Sequence, residues 1–148
     1  MTSQRAQVLV FVALVLPIVL LPAAAFAVDA ASAAAVQARL EQATWSAAES
    51  SVQQIDAVAL RAGKGIKLDE LSVEAVAFDA LAADDPNATI ERLSVDGLYV
   101  TLETSETMQL PLNFVGAPVV RLRAKATARL TLGYGRPSSF LPFSVNTL

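Results

Sequence analysis

Residues 8–28 read VLVFVALVLPIVLLPAAAFAV, twenty-one positions without a charge. As a helix rising about 1.5 Å per residue they span roughly 31 Å, close to the ~30 Å of bilayer hydrocarbon. Charges stop at Arg5 on one side and resume at Asp29 on the other. The rest of the chain is therefore either held at a membrane by this stretch or released when the stretch is cut away. Two readings stand. One is a transmembrane helix. The other is a secretory signal peptide, with Arg5 as its basic start, Ala25-Phe26-Ala27 as an A-x-A cleavage site and Pro22 just upstream. The apolar run is longer than a usual signal core, and Ala23, Ala27, Ala31 and Ala35 recur every four residues straight across the cut. Small residues at that spacing let two helices approach closely in lipid. Plain helix propensity accounts for the same row. Pro17 and Pro22 each remove a backbone donor, freeing the carbonyls of Ala13 and Ile18, and predict kinks that neighbouring helices would have to accommodate. Arg5, the only charge ahead of the run, predicts residues 1–7 in the cytoplasm, 8–28 across the membrane and the remainder exported.

Composition narrows the chemistry. The chain has 148 residues, no cysteine and no histidine. That removes disulfides, thiolate sites, the usual zinc ligand and every triad built on histidine. Carboxylate pairs exist at Asp69-Glu70 and Asp84-Asp85, but they fall at a helix start and in a turn, where carboxylates serve as caps. There is no phosphate-binding glycine loop, metal-ligand spacing or nucleophile motif. The sequence thus predicts no enzyme, no catalytic, cofactor-binding or metal-binding residue, and no small-molecule substrate. Asn87-Ala88-Thr89 matches a glycosylation pattern, with a turn as the simpler role. The net charge of −3 conceals an asymmetry: all fourteen acids lie between Asp29 and Glu106, while Arg121, Arg123, Lys125, Arg129 and Arg136 follow without an acid. The basic row lacks interleaved aromatics, so nucleic acid is not an expected partner.

Residues 29–62 contain neither proline nor glycine and predict an exported continuation of the helix. Trp45, Ala48, Val52, Ile55 and Ala59 follow 3-4 spacing and form its expected apolar stripe. Gly63 and Gly65 stop it. Residues 63–148 then form a small head with a C-terminal tail. Residues 68–83 predict a second helix with Leu71, Ala75, Phe78 and Ala82 on one face. Residues 90–104 predict a hairpin turning on Asp96-Gly97, which pairs Val95 with Leu98 and Leu93 with Val100. Residues 104–107 read as a polar turn. Met108, Leu110, Leu112 and Phe114 alternate as a strand confined to an edge by Pro111. After Pro118, apolar Val120, Leu122, Ala124, Ala126, Ala128 and Leu130 alternate with Arg121, Arg123, Lys125, Thr127 and Arg129, a half-buried strand whose small centre suits a crossing helix. Arg121, Arg123, Lys125 and Arg129 are the candidate docking face, toward an acidic partner or lipid head groups, and a solvated sheet face is the simpler explanation of them. Phe140, Leu141 and Phe143 in the tail are expected to pack onto the domain or a partner. The expected fold is α+β and pilin-like: a long N-terminal helix, a short second helix and an antiparallel sheet of about 3–4 strands.

The first 60 or so residues resemble the TadE/TadG-like family of Flp (tight-adherence) pilus assembly proteins. Arg5-Ala6-Gln7 ahead of the apolar run, Ala13-Leu14 with Pro17, and Ala27-Val28-Asp29 at the membrane exit are similar to that family's opening. Arg39-Leu40-Glu41-Gln42-Ala43 and Ala47-Ala48 resemble its Arg-x-Leu-Gln-x-Ala-x-x-Ala-Ala stretch, with Glu41 and Trp45 replacing its Gln and Asp. Phe11 stands where TadE-type members often carry Glu, which brings the opening nearer the TadG type. The resemblance implies a bacterial cell-surface role: a minor-pilin-like subunit or assembly factor, in the cytoplasmic membrane or incorporated in a pilus. It also implies partners among membrane lipid, pilus or secretion-system subunits and further copies of the chain. The alternative is a secreted soluble binding module released after Ala27.

Overall fold

The computed structural model describes residues 2–113, 116 and 118–131. Its organising element is α1, Thr2–Ser51, a single helix of 50 residues that runs on through both Pro17 and Pro22. Its first half stands clear of the other described residues: Phe11, Leu14, Leu16, Ile18 and Leu21 are all more than half exposed. Its second half is the central helix of the head.

The helix stops at Ser51, eleven residues before the expected end. Residues 54–56 turn into an extended clip against residues 67–69, with Asp56 N donating to Lys67 O at 2.9 Å and Asp69 N to Gln54 O at 2.9 Å. Asp56 then caps a separate one-turn helix, α2 (Ala57–Arg61), its Oδ1 accepting from the N–H of Val58 and Ala59. A good N-cap residue at that point ends one helix by starting another. Gly63 follows with φ +70°, the left-handed exit the sequence anticipated.

The face that α1 buries also differs from the expected stripe. Leu40, Ala43, Thr44, Ala47, Ala48, Ser51 and Val52 are buried, whereas Trp45 is 50% exposed and Ile55 39% exposed. The buried face is one of small residues, which brings the helix axis close to the sheet. Trp45 is too large for that approach and lies at the flank. Thr44 and Ser51 are buried because they satisfy themselves on their own helix, donating to Leu40 O at 2.6 Å and Ala48 O at 2.9 Å.

Helix α3 (Glu70–Asp84) lies beside α1 and buries Val73, Ala77 and Leu81. Leu71 is 81% exposed and Phe78 50% exposed, so its packed face is the neighbour of the expected one. Asp69 stands at its N-cap, holding the Ser72 hydroxyl at 2.6 Å.

The sheet is an antiparallel meander, β1 (Thr89–Asp96), β2 (Tyr99–Gln109) and β3 (Val119–Arg129), in the order β1-β2-β3. The first turn is Gly97-Leu98, not Asp96-Gly97. Asp96 pairs with Tyr99, Val95 with Val100 and Leu93 with Leu102. Gly97 takes φ +60° and Leu98 does not have a positive φ, the pattern of a II′ turn with glycine first. A shift of two residues keeps every side chain on its face, so alternation alone does not distinguish the two registers. In the observed one Val100 and Leu102 are both fully buried. A bulge between Ile90 and Arg92 puts Ile90 on the inner side with Leu93 and sends Glu91 outward. Residues 104–107, expected as a turn, are instead the middle of β2, which absorbs Met108 as well. Phe114 and the tail residues Phe140, Leu141 and Phe143 lie outside the described residues. In β3 the alternation is as expected, with Ala124, Ala126 and Ala128 buried under α1.

The result is a two-layer α+β head on one long helix: α1 and α3 on one face of a three-stranded antiparallel sheet, with the core between. This is a pilin-like fold.

Candidate functional site

Four surfaces or clusters have chemistry beyond packing. The first is the bare apolar half of α1. Within it Ala23, Ala27, Ala31 and Ala35 are all exposed, on a side the chain's own head leaves uncovered, and Pro22 is half-buried. None of the described residues covers this surface. It is the one described helix long and apolar enough to cross a membrane, with a mean hydropathy of 2.8 over its best window.

The second is the basic row on β3. Arg121 donates to Glu91 at 2.7 Å, Arg123 lies 3.7 Å from the same carboxylate and Lys125 donates to Glu103 at 2.9 Å. Arg129 stacks over the Tyr99 ring at 5.4 Å. The Ser105 hydroxyl, then the two arginines, hold the Glu91 carboxyl below its usual range, and Lys125 does the same for Glu103. The four cations share one sheet face, as their spacing requires, but three are paired within that face. This arrangement favours a solvated, internally balanced surface over an unpaired basic patch.

The third cluster is absent from the sequence reading. Arg39 of α1 bridges two acids brought from far along the chain, with Nε to Asp85 Oδ2 at 3.1 Å and Nη2 to Glu106 Oε1 at 2.7 Å. Asp85, the C-cap of α3, is fully buried, and Glu106 of β2 is 5% exposed. Asp85 Oδ1 also accepts from Asn87 N, which shapes the turn into β1. Burial, and then the neighbouring Asp85, push the Glu106 carboxyl up, while the Arg39 guanidinium opposes the rise. Among the described residues Glu106 Oε2 has no hydrogen-bond partner. The node fastens α1, α3 and β2 together. Of the two carboxylate pairs weighed as catalytic, Asp69-Glu70 is a helix start and Asp84-Asp85 a helix end, with Asp84 exposed. Among the described residues no three acids gather in a way that could hold a metal ion.

The fourth is an open groove of about 660 Å³ between the end of α1 and the end of β3, lined by Trp45, Glu49, Val52, Ala128 and Leu130. The exposed Trp45 belongs to this groove and not to the core. A period-two count would have placed Glu106 on the face of Val100, Leu102 and Thr104. The partner that makes its burial tolerable lies sixty-seven residues earlier, in Arg39. Comparison of the chain with protein-family models, with curated proteins and with solved structures yields no match.

Proposed function

We propose that the chain is a single-pass, membrane-anchored, pilin-like subunit or assembly factor of a Flp/Tad-type pilus. It would act by helix packing and protein–protein docking, with its N-terminus in the cytoplasm and its head exported. The observation that carries the proposal is the division of one 50-residue helix into a bare apolar half and a half that forms the core of a small head. Such a helix gives lateral packing in lipid a rigid connection to the head, because no linker intervenes between residues 28 and 29. The exposed alanines suit close helix–helix contact, including contact with a second copy. The resemblance of residues 5–48 to the TadE/TadG-like opening supplies the pilus context. Fractionation tests the proposal: the protein is expected in the cytoplasmic membrane or in sheared pili. Recovery only as a soluble exported species would overturn it.

The Ala25-Phe26-Ala27 site supports the alternative of a secreted binding module. A native N-terminus at Val28 would establish it. The basic row enters either reading only as a docking face. If reversing Arg121, Arg123, Lys125 and Arg129 to glutamate leaves pilus assembly and partner pull-down unchanged, the row does not dock.

A further inference from the structure

Asp29 is the first charge after the apolar run, and it is 2% exposed. Residues at the start of the connection between β2 and β3 reach it. Its Oδ1 accepts from the backbone N–H of Leu112 at 2.8 Å, a contact across eighty-three residues. The same connection is closed at its neck by Leu110 N donating to Pro118 O at 3.1 Å, and within it Gly116 N donates to Asn113 O at 3.2 Å. Gly116 has φ +76°, a conformation that favours glycine. The connection is thus tied to α1 at the residue where the hydrocarbon-length run ends.

Its chemistry matches that position. No charged residue occurs in sequence between Glu106 and Arg121. Leu112 is 54% exposed and Val119 48% exposed, while Phe26 and Val28, immediately before Asp29 on the helix, are 54% and 48% exposed. Exposed apolar residues therefore lie on both chain segments that the Asp29–Leu112 contact joins, and the Asp29 carboxylate at the junction is turned onto a backbone N–H. At the opposite end of the sheet, β1 ends on the exposed Asp96.

We infer that residues 110–113, which open the β2–β3 connection, rest in the interfacial layer of the bilayer that α1 crosses, with Leu112 and Val119, the first residue of β3, against lipid. The inference rests on the membrane-anchored reading. It adds that the head sits on the membrane by a fixed apolar foot and not on a free stalk. Interfacial seating of this kind draws on buried apolar area.

The absence of native cysteine makes the test direct. Spin labels are placed singly at Leu16→Cys in the apolar run, at Leu112→Cys or Val119→Cys on the foot, and at Asp96→Cys at the far end of β1. The full chain is reconstituted in phosphatidylethanolamine–phosphatidylglycerol vesicles. Collision with molecular oxygen, which partitions into lipid, is compared with collision with a water-soluble nickel chelate. The expected result is an oxygen-to-nickel ratio at Leu112 and Val119 severalfold above that at Asp96, with Leu16 higher still. A ratio at both foot positions equal to that at Asp96, with Leu16 in lipid, overturns the foot and leaves the anchor standing. A water-exposed Leu16 overturns both.

Discussion

Replacing Leu40 by alanine measures where the head keeps its core along α1. Leu40 is 0% exposed, whereas Trp45, five residues on, is 50% exposed. Emptying a fully buried leucine site costs about 2.7–5 kcal/mol, depending on how far the surroundings collapse. A helix and sheet this closely packed through alanines can relax little, so about 3 kcal/mol is a lower working figure. Truncating a fully buried tryptophan costs about 3–5 kcal/mol, and half of that, about 2 kcal/mol, is the expectation for a side chain half in water. Against a total of about 5–15 kcal/mol for a small domain, both variants stay folded. Amide exchange of Val100 to Thr104, in the middle of β2, reads the loss through global opening. About 3 kcal/mol accelerates exchange roughly 140-fold, and about 2 kcal/mol roughly 25-fold. Glu41→Ala, on the exposed side, stays within about 0.5 kcal/mol. If Trp45→Ala opens the head more than Leu40→Ala does, the 3-4 stripe through Trp45 is the true core face, and the packing described above is wrong.

Three further outcomes follow from particular contacts. Thr44 donates to Leu40 O and lies 2.6 Å from Thr104 Oγ1, so the bond between the hydroxyls is donated by Thr104. Thr44→Val therefore strands a buried donor and costs about 1–3 kcal/mol, more than Thr104→Val does, and a double-mutant cycle by urea unfolding checks the asymmetry. Gly97→Ala meets no steric neighbour but keeps φ +60°, so it lowers the urea midpoint by a backbone penalty of about 1–2 kcal/mol with m unchanged. Glu106 is held above its usual 4.5, so the folded head binds more protons than the unfolded chain between 4.5 and the raised value. Its contribution is fully present below pH 4.5 and is lost as pH rises through the raised value. Asp69, Glu91 and Glu103 are shifted down and act in the opposite sense at lower pH. Urea titrations should show stability declining from about pH 4.5 upward. Glu106→Gln should flatten that decline, and an unchanged slope would show that another group is responsible.

The parts of the fold legible in sequence were those where one residue reports one fact. The alternation through Ala124, Ala126 and Ala128 gives β3 its inner face, and the charge-free run gives the bare half of α1. The register of α1 was not legible, because its buried face contains Thr44 and Ser51, which look polar until their hydroxyls are seen bonded to their own helix. Nor was the break at Ser51. Asp56 is an ordinary off-stripe residue in a helical count and becomes a cap only when residues 54–56 pair with residues 67–69. The turn register escaped because moving it by two residues leaves every face unchanged. The Arg39 node and the Asp29 contact escaped for a shared reason: each joins residues that only the folded chain brings together. A lone acid in a sequence reads as surface. Asp29, Asp85 and Glu106 are buried because a backbone N–H or a guanidinium waits for them.

The proposed role requires α1 to be one uncut helix, half in lipid and half in the head. Mass spectrometry of the native protein, isolated from carbonate-washed membranes, tests this most directly. The result expected is a chain that retains residues 8–28 and stays with the membrane pellet. A chain beginning at Val28 and recovered in the soluble fraction would contradict it.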